Sequence, residues 1–110
     1  MKTTENNLSY CFEESENELT DELTVLCSGR INTVTVPALA KDISEKMNGQ
    51  KRLILDFTEV EYISSMGLRL VLTLYKNMNS VDGSLFLRNV RKDVMNIFSL
   101  AGLTDYLTFV

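Results

Sequence analysis

The feature that most limits the possible folds of this chain is an unbroken apolar run near its middle. Leu53, Ile54 and Leu55 stand together in "RLILDF", residues 52–57, without the alternation of apolar and polar side chains that a half-buried strand shows. Such a run is typical of a strand that is covered on both faces of its sheet. We therefore expect residues 52–57 to form a central strand.

A long apolar helix is predicted shortly after this strand. The connection "TEVEYISS", residues 58–65, leads into a helix from about Met66 to Asn79. The polar positions of this helix fall on one narrow stripe, so it should pack against a sheet and against neighbouring helices. Residues 58–79 are therefore predicted to form one loop–helix unit.

The same patterns predict the elements on either side. Apolar runs at Leu8–Phe12 and Leu23–Ser28 flank the acidic stretch "EESENELTDE", which predicts an N-terminal hairpin over about residues 8–28. Apolar positions at helical spacing predict helices within Val36–Met47 and over Asp93–Leu100. Strands are predicted in "SLFLRNV" and in the final "YLTFV".

The predicted order of elements is thus β, β, α, β, α, β, α, β. Strands that alternate with helices after an opening hairpin predict an α/β fold. We expect a mixed β-sheet of about four to five strands, with right-handed crossovers and with helices packed mainly on one face. A chain of 110 residues is the size of one ordinary domain, so residues 1–110 are predicted to share a single core.

The charge of the chain excludes some classes of partner. Residues 1–22 hold seven of the 15 acidic residues but one of the 11 basic ones, and the net charge is −4. No clustered face of lysine and arginine is evident, so nucleic acid is not expected as a partner. No run approaches the roughly 18 apolar residues of a membrane span, and the N-terminus lacks the apolar core of a signal peptide. The protein is expected in the cytoplasm.

The cysteines and the absence of histidine argue against metal and redox chemistry. Cys11 and Cys27 lie in strand-like stretches without Cys-x-x-Cys spacing, and the chain has no histidine. Both are expected to be reduced core thiols. Neither a metal site nor a cofactor is predicted.

Two adjacent serines in "EYISSMGLRL", residues 61–70, lie where the long helix is predicted to begin. Such a serine can cap the helix, because its hydroxyl accepts from a free backbone N–H. A nucleophilic serine would need a general base, but the chain has neither histidine nor a Gly-x-Ser-x-Gly motif. An exposed hydroxyl at a helix N-terminus also suits a phosphoryl group, since the free N–H donors and the helix dipole favour its charge.

A glycine two residues after these serines needs a separate explanation. Gly67 in the first turn sacrifices roughly 1 kcal/mol of helix propensity against alanine. We expect another group to approach this backbone closely, and we expect the glycine to keep the start of the helix open to a partner.

Three stretches together resemble the STAS domain, a family named for sulfate transporters and anti-sigma factor antagonists. They are "SGRINTVTVPALAKDI", "LILDFTEVEYISSMGLRLVL" and "LRNVRKDVMNIFSLAGL", and the similarity runs from about residue 8 to residue 110. The chain looks most like the stand-alone bacterial antagonists. This resemblance implies a regulator that is not an enzyme and that binds a serine kinase, itself the anti-sigma factor, to free a sigma factor. Phosphorylation by that kinase switches the antagonist off, and a phosphatase resets it.

The resemblance puts the phosphoacceptor at Ser65, with Ser64 as the alternative if the register is shifted by one. Aligned on Gly67, the family pattern Asp-Ser-Ser-Gly-Leu has its aspartate at Ser64 and its second serine at Met66. The family turn Gly-x-Leu-Asp ends here in Asn32. Two carboxylates are thereby removed from the surroundings of the acceptor.

The docking surface for the partner is expected around this acceptor. Arg69 lies four residues after Ser65, one helical turn along, and Thr58 could edge the docking face. Asp56, at the end of the central strand, is expected to be structural. The full predicted partner-binding set, from the resemblance and from these positions together, is Asn32, Thr58, Ser64, Met66, Gly67 and Arg69.

A second function, from a different class, is open from the sequence alone. The domain could be an accessory or scaffold subunit of a transporter or regulatory complex that acts through constitutive contacts, with Ser65 as no more than a cap. An enzyme is open only if a partner supplies the base. An exposed edge strand in the hairpin allows a monomer or a weak dimer. Many relatives continue into a further helix, which is either missing or shortened here.

Overall fold

The computed structural model describes residues 3–5, 7–14 and 21–110. Strands and helices alternate after an opening hairpin, as predicted. In chain order the elements are β1 (Thr3–Glu5), β2 (Leu8–Glu14), β3 (Glu22–Ile31), α1 (Val36–Lys46), β4 (Arg52–Ile63), α2 (Ser65–Ser80), β5 (Ser84–Arg88), α3 (Lys92–Leu100) and β6 (Thr108–Phe109). Part of the predicted acidic connection, residues 15–20, lies outside the described residues.

These strands pair into one mixed sheet in the order β1-β2-β3-β4-β5-β6. The pairs β1–β2 and β2–β3 are antiparallel, and the predicted hairpin runs from the pair Leu8 and Gly29 to the pair Glu14 and Leu23. The pairs β3–β4, β4–β5 and β5–β6 are parallel. The mixed α/β sheet is thus confirmed, with β1 as an additional edge strand. Its sequence "TTE" carries no apolar pattern from which a strand could be predicted.

β4 is the central strand, and it is longer than predicted. All residues from Leu53 to Phe57 are buried, which confirms the interpretation of the apolar run. The chain continues as a strand to Ile63, so the loop predicted from residue 58 is wrong over residues 58–63. Two register shifts in the pairing with β3 let β4 follow that strand as far as the pair Ile31 and Ile63. The start of α2 is therefore held directly at the end of a paired strand.

The three helices cover one face of the sheet, as predicted. The side chains that alternate toward this face are the most completely buried ones, and they meet apolar residues from each helix. The sheet supplies Leu23, Val25, Leu53, Leu55, Phe57, Leu85 and Leu87, and the helices supply Leu39, Ile43, Val71, Leu74, Met78, Val94 and Phe98. In the described ranges, no helix is long and apolar enough to span a membrane.

The other face of the sheet is covered by long polar side chains. The guanidinium of Arg52 forms an ion pair with Glu22, 3.0 Å from Nε to Oε2, and lies 4.8 Å from the ring centre of Phe86. Ile54 and Asp56 occupy the neighbouring positions along β4, and each is 7% exposed. Long side chains with apolar stems can thus complete the burial of a central strand where no helix is present.

The two cysteines lie on opposite faces of the sheet, and both are free thiols. Cys27 belongs to the core under the helices, and burial raises the pKa of its thiol to about 12, with smaller contributions from Asp56 and Cys11. Cys11 stands opposite Leu26, on the other face, and is half-buried. The prediction of a core thiol is confirmed for Cys27 and wrong for Cys11. Successive side chains of a strand point to opposite faces of the sheet, and this pairing places Cys11 on the face away from the helices.

Replacing Phe98 by alanine should strongly destabilise the fold. The Phe98 ring is fully buried, with its centre 6.4 Å from that of Phe57 and 5.4 Å from that of Phe109. Deleting such a ring costs about 3–5 kcal/mol of unfolding free energy, which urea denaturation would measure. The control is Leu100→Ala, at the end of the same helix and 90% exposed, which should change stability by less than about 0.5 kcal/mol. Equal losses for both variants would contradict the packing described.

Candidate functional site

The two adjacent serines differ in their environments at the start of α2. Ser64 is the N-cap: its backbone is extended and its Oγ accepts a hydrogen bond from the Gly67 amide at 3.3 Å. Its carbonyl oxygen accepts from the Leu68 amide at 2.9 Å. Ser65 is the first helical residue and is exposed, whereas Ser64 is half-buried. The prediction of Ser64 as the cap is confirmed.

The start of α2 packs tightly onto the ends of β3 and β4. A Cβ atom on Gly67 would lie 2.5 Å from Cγ1 of Ile63 and 2.9 Å from Cγ2 of Ile31, both shorter than side-chain packing allows. The amide of Ser64 also donates to the carbonyl oxygen of Ile31 at 2.8 Å. The expected close approach to Gly67 thus exists, but it comes from the protein's own core.

The prediction of Gly67 as a partner-binding residue is therefore wrong. Gly67 is buried, and the positions that surround it belong to the hydrophobic core. Its contribution to the site is indirect, because it sets how close α2 lies to the strands.

The turn before α1 is organised by the side chain of Asn32. Its Oδ1 accepts from the amides of Val34 at 3.0 Å and Thr35 at 3.1 Å. Thr35 is the N-cap of α1, but its side chain does not cap the helix. Its hydroxyl donates to the carbonyl oxygen of Arg30 at 3.0 Å and accepts from the backbone amide of Asn32 at 2.8 Å. Only the carbonyl oxygen of the Asn32 side chain is needed here. A carboxylate could accept the same hydrogen bonds. Compared with the aspartate of the family turn, the side-chain amide of Asn32 therefore keeps the turn and removes one negative charge.

These two helix starts lie next to each other. The bond from the Ser64 amide to Ile31 joins the residue before Asn32 to the residue before Ser65. Arg69 is exposed one helical turn after Ser65, and it forms no ion pair with any residue that the structure describes. We call Asn32, Val34, Ser65 and Arg69 the Ser65 surface.

Two further candidates for docking occupy different positions. Met66 is half-buried and packs against the core, so only part of its side chain borders the Ser65 surface. Thr58 precedes Ser64 by six residues of strand, roughly 20 Å at about 3.3 Å per residue. Its amide and hydroxyl both donate to Oδ1 of Asp56, at 2.9 Å and 2.6 Å. Thr58 thus belongs to the surroundings of Asp56 and not to the Ser65 surface.

Asp56 has the structural role expected for it, on the sheet face opposite the helices. Its Oδ2 accepts from Nε of Arg88 at 2.9 Å, while Thr58 occupies its Oδ1. Burial raises the pKa of the Asp56 carboxyl, but the hydrogen bonds from Thr58 and the pairing with Arg88 outweigh burial and hold this pKa below its usual value. Asp56 therefore stays ionised and links β4 to β5.

Val34 is a residue of this region to which the sequence drew no attention. It is 63% exposed, although apolar, and it stands in the turn that Asn32 organises. The sequence also drew no attention to the contact between Arg30 of β3 and Tyr62 of β4, in which the guanidinium lies 4.5 Å from the ring centre. The signal for Val34 was its place in "NTVTVP", between a turn-forming asparagine and the proline of the first helical turn.

Comparisons with known proteins agree with these features. Residues 14–110 match the family described as the STAS domain. BtrV of Bordetella bronchiseptica, whose name describes it as an anti-sigma factor antagonist, is 31% identical over 84 residues, 74% of this chain and 72% of that protein. The resemblance noted from the sequence motifs is thereby confirmed.

Solved structures share the fold. An anti-sigma factor antagonist from Mycobacterium paratuberculosis superposes with a TM-score of 0.79 at 23% identity, covering 93% of this chain and 84% of that one. SpoIIAA from Bacillus in its phosphorylated form gives a TM-score of 0.68 at 19% identity, covering 92% of this chain and 90% of that one. At these identities the likeness establishes the architecture alone.

Substitutions at the two serines should separate the cap from the exposed hydroxyl. Ser64→Ala removes the bond to the Gly67 amide and should lower the unfolding free energy by about 0.5–2 kcal/mol. Ser64→Asn retains a capping oxygen and should change it little. Ser65→Ala, at an exposed position that makes no capping bond, should be within about 0.5 kcal/mol of wild type in urea denaturation. A larger loss for Ser65→Ala than for Ser64→Ala would refute this assignment.

The paired Asp56 predicts a specific dependence of stability on pH. Because its folded-state pKa lies below the unfolded value, its ionic interactions stabilise the fold above about pH 4 and are lost as the pH falls through the folded pKa. Asp56→Asn should therefore reduce the unfolding free energy at neutral pH and differ less from wild type in strong acid.

The matched control is Asp105→Asn, at an exposed position that forms no ion pair within the described ranges. Its difference from wild type should be small at every pH. Urea denaturation at several pH values measures both variants, and a constant deficit for Asp56→Asn down to strong acid would contradict the assigned role.

Proposed function

We propose, from the premise that this chain belongs to the STAS domain family, that it is an anti-sigma factor antagonist controlled by phosphorylation at Ser65. In its unphosphorylated state it binds a serine kinase that is also an anti-sigma factor, and so frees a sigma factor. Phosphate on Ser65 releases the kinase, and a phosphatase restores the binding form. The observation that carries this proposal is the exposed hydroxyl of Ser65 beside the engaged, half-buried Ser64.

The chemistry of the helix start suits a phosphate at this position. The first amides of a helix lack intrahelical partners, and the positive end of the dipole favours an added anion. The guanidinium of Arg69, which has no ion-pair partner among the described residues, lies one turn further along the same side of α2. A phosphate can therefore be accepted without rearrangement of α2, and its effect falls on the partner.

The chain acts in this proposal as a substrate and not as a catalyst. It has no histidine, and no base bonded to the Ser65 hydroxyl is found among the described residues. The kinase binds ATP and supplies the base, which takes the proton of the Ser65 hydroxyl while the γ-phosphoryl group passes to Oγ of Ser65 and ADP leaves. The protein works in the cytoplasm, where such a kinase and its sigma factor meet.

The docking surface is the Ser65 surface together with its borders at Ser64 and Met66. Exposed Val34 supplies an apolar contact, and Arg69 supplies a charge. Gly67 and Thr58 are outside this proposed surface, since one is buried and the other is bonded to Asp56. Two acidic positions of the family pattern are neutral here, at Asn32 and Ser64, so the partner is expected to meet fewer carboxylates.

The size of the switch follows from the charge of the modification. A phosphate adds about −1.5 to −2 charges to a surface that must lose water on docking. A penalty of about 3 kcal/mol would weaken the complex roughly 150-fold, which is enough to exchange a tight partner for a weak one. Burial of the phosphate against the partner, and not unfolding of this protein, is the proposed cause.

Phosphorylation by candidate serine kinases encoded near this chain tests the acceptor directly. The purified protein is incubated with kinase and ATP, and its intact mass is measured. Wild type and Ser64→Asn should gain one phosphate, whereas Ser65→Ala should gain none. Ser64→Asn is the matched control, because asparagine keeps the cap while removing the hydroxyl.

Two outcomes would contradict the proposal. A phosphate on Ser65→Ala that is absent from Ser64→Asn would make Ser64 the acceptor. No phosphate on any variant, together with partner binding that Ser65→Glu leaves unchanged, would favour a constitutive scaffold.

A further inference from the structure

A cavity of about 500 Å³ lies between α1 and α2, toward the end of α2 that is remote from Ser65. Its walls are formed by Ile43 of α1, Leu53 of β4, and Leu70, Leu74 and Met78 of α2. This volume is within the range of roughly 300–1,000 Å³ that is usual for small-molecule sites. No step of the proposed switch involves this part of the molecule.

The walls suit a flexible hydrocarbon chain. Most of the side chains that line the cavity are aliphatic or thioether groups, and none of the described lining residues is aromatic. The polar lining residues are Ser44, Gln50, Lys51, Thr73 and Asn77. A hydrocarbon chain gains dispersion contacts with such walls and leaves water in doing so. Methionine adapts its shape to irregular apolar ligands, and Met47 and Met78 stand on opposite sides of the cavity.

The mouth of the cavity carries one positive charge. Lys51 is the charged residue among the described lining residues, and its Nζ donates to the carbonyl oxygen of Val81. It forms no ion pair in the part of the chain that the structure describes. Exposed Thr73 and Asn77 add polar groups at the rim. A single cation above apolar walls complements a ligand with one negative charge at the end of an apolar body.

We propose that this cavity binds an aliphatic carboxylate, with its hydrocarbon chain between α1 and α2 and its carboxylate at Lys51. The proposal goes beyond the switch at Ser65 and does not depend on it. Its test uses the purified protein alone, without kinase or sigma factor, so that the two proposals can fail separately.

Titration with decanoate, below the concentration at which it forms micelles, tests the site. Isothermal calorimetry gives the affinity, and two-dimensional NMR spectra locate the binding. We expect shifted amide signals in the C-terminal halves of α1 and α2, and a higher Tm in the presence of decanoate. The neutral analogue decanol should bind about fivefold more weakly, which is the most that an exposed ion pair provides.

Three variants separate the parts of the proposal. Lys51→Met should remove the preference for decanoate over decanol, while Lys76→Met, an exposed lysine of α2 that does not line the cavity, should retain it. Ala40→Leu should fill the space from α1 and weaken both ligands at least tenfold. The NMR map of the wild type locates the site independently of whether Ala40→Leu folds.

Several results would overturn the proposal. Absence of binding at millimolar decanoate would remove the site. Shifts confined to residues remote from the cavity lining would move it elsewhere. Equal affinities of wild type for decanoate and decanol, or a preference that survives in Lys51→Met, would exclude the carboxylate as the recognised group.

Discussion

The contact on which the rest of this structure depends is the close approach of α2 to the ends of β3 and β4. Ile31 and Ile63 leave no room for a side chain at position 67, and the backbone amide of Ser64 donates to the carbonyl oxygen of Ile31. Both interactions need β4 to remain a strand up to Ile63, which the register shifts against β3 permit. The start of α2 is thereby fixed by backbone and core contacts and not by a flexible loop. A hydroxyl that begins such a helix has a fixed position on the surface.

The geometry of this helix start explains how two adjacent serines acquire different properties. Ser64 is turned toward the helix and satisfies the Gly67 amide, while Ser65 faces solvent one residue later. Asn32 shows the same separation of structure from charge, because its Oδ1 organises the turn before α1 without the charge of an aspartate. The architecture of the family is therefore kept here, while the electrostatics of the proposed docking surface differ from the family pattern. Such a difference alters the choice of partner more than it alters the fold.

Most of the fold was predictable because hydrophobic periodicity is local. The run at Leu53 marked the central strand, and the serines before an apolar segment marked the start of α2. The extension of β4 to Ile63 was not predictable, since it depends on register shifts that only pairing with β3 creates. The role of Gly67 was mispredicted for a related reason. Its contact with Ile31 joins residues far apart in the sequence, and nothing in the sequence marks Ile63 as its other neighbour.

The positions of the site were predicted less completely than the elements that carry them. Thr58 was placed at the edge of the docking face because it was predicted to lie in the short connection before α2, but its hydroxyl is bonded to Asp56 on the far face of the sheet. Spacing along an assumed loop gives no information on direction, whereas spacing along a helix does, as for Ser65 and Arg69.

The central claim is that phosphate on Ser65 changes the affinity for a partner and leaves the fold unchanged. Its most direct test is calorimetric titration of the kinase with unphosphorylated and phosphorylated protein, with urea unfolding of both forms measured in parallel. The account predicts at least hundredfold weaker binding, while the unfolding free energy changes by no more than about 1 kcal/mol. Equal affinities for the two forms, or weaker binding that accompanies unfolding of α2, would contradict it.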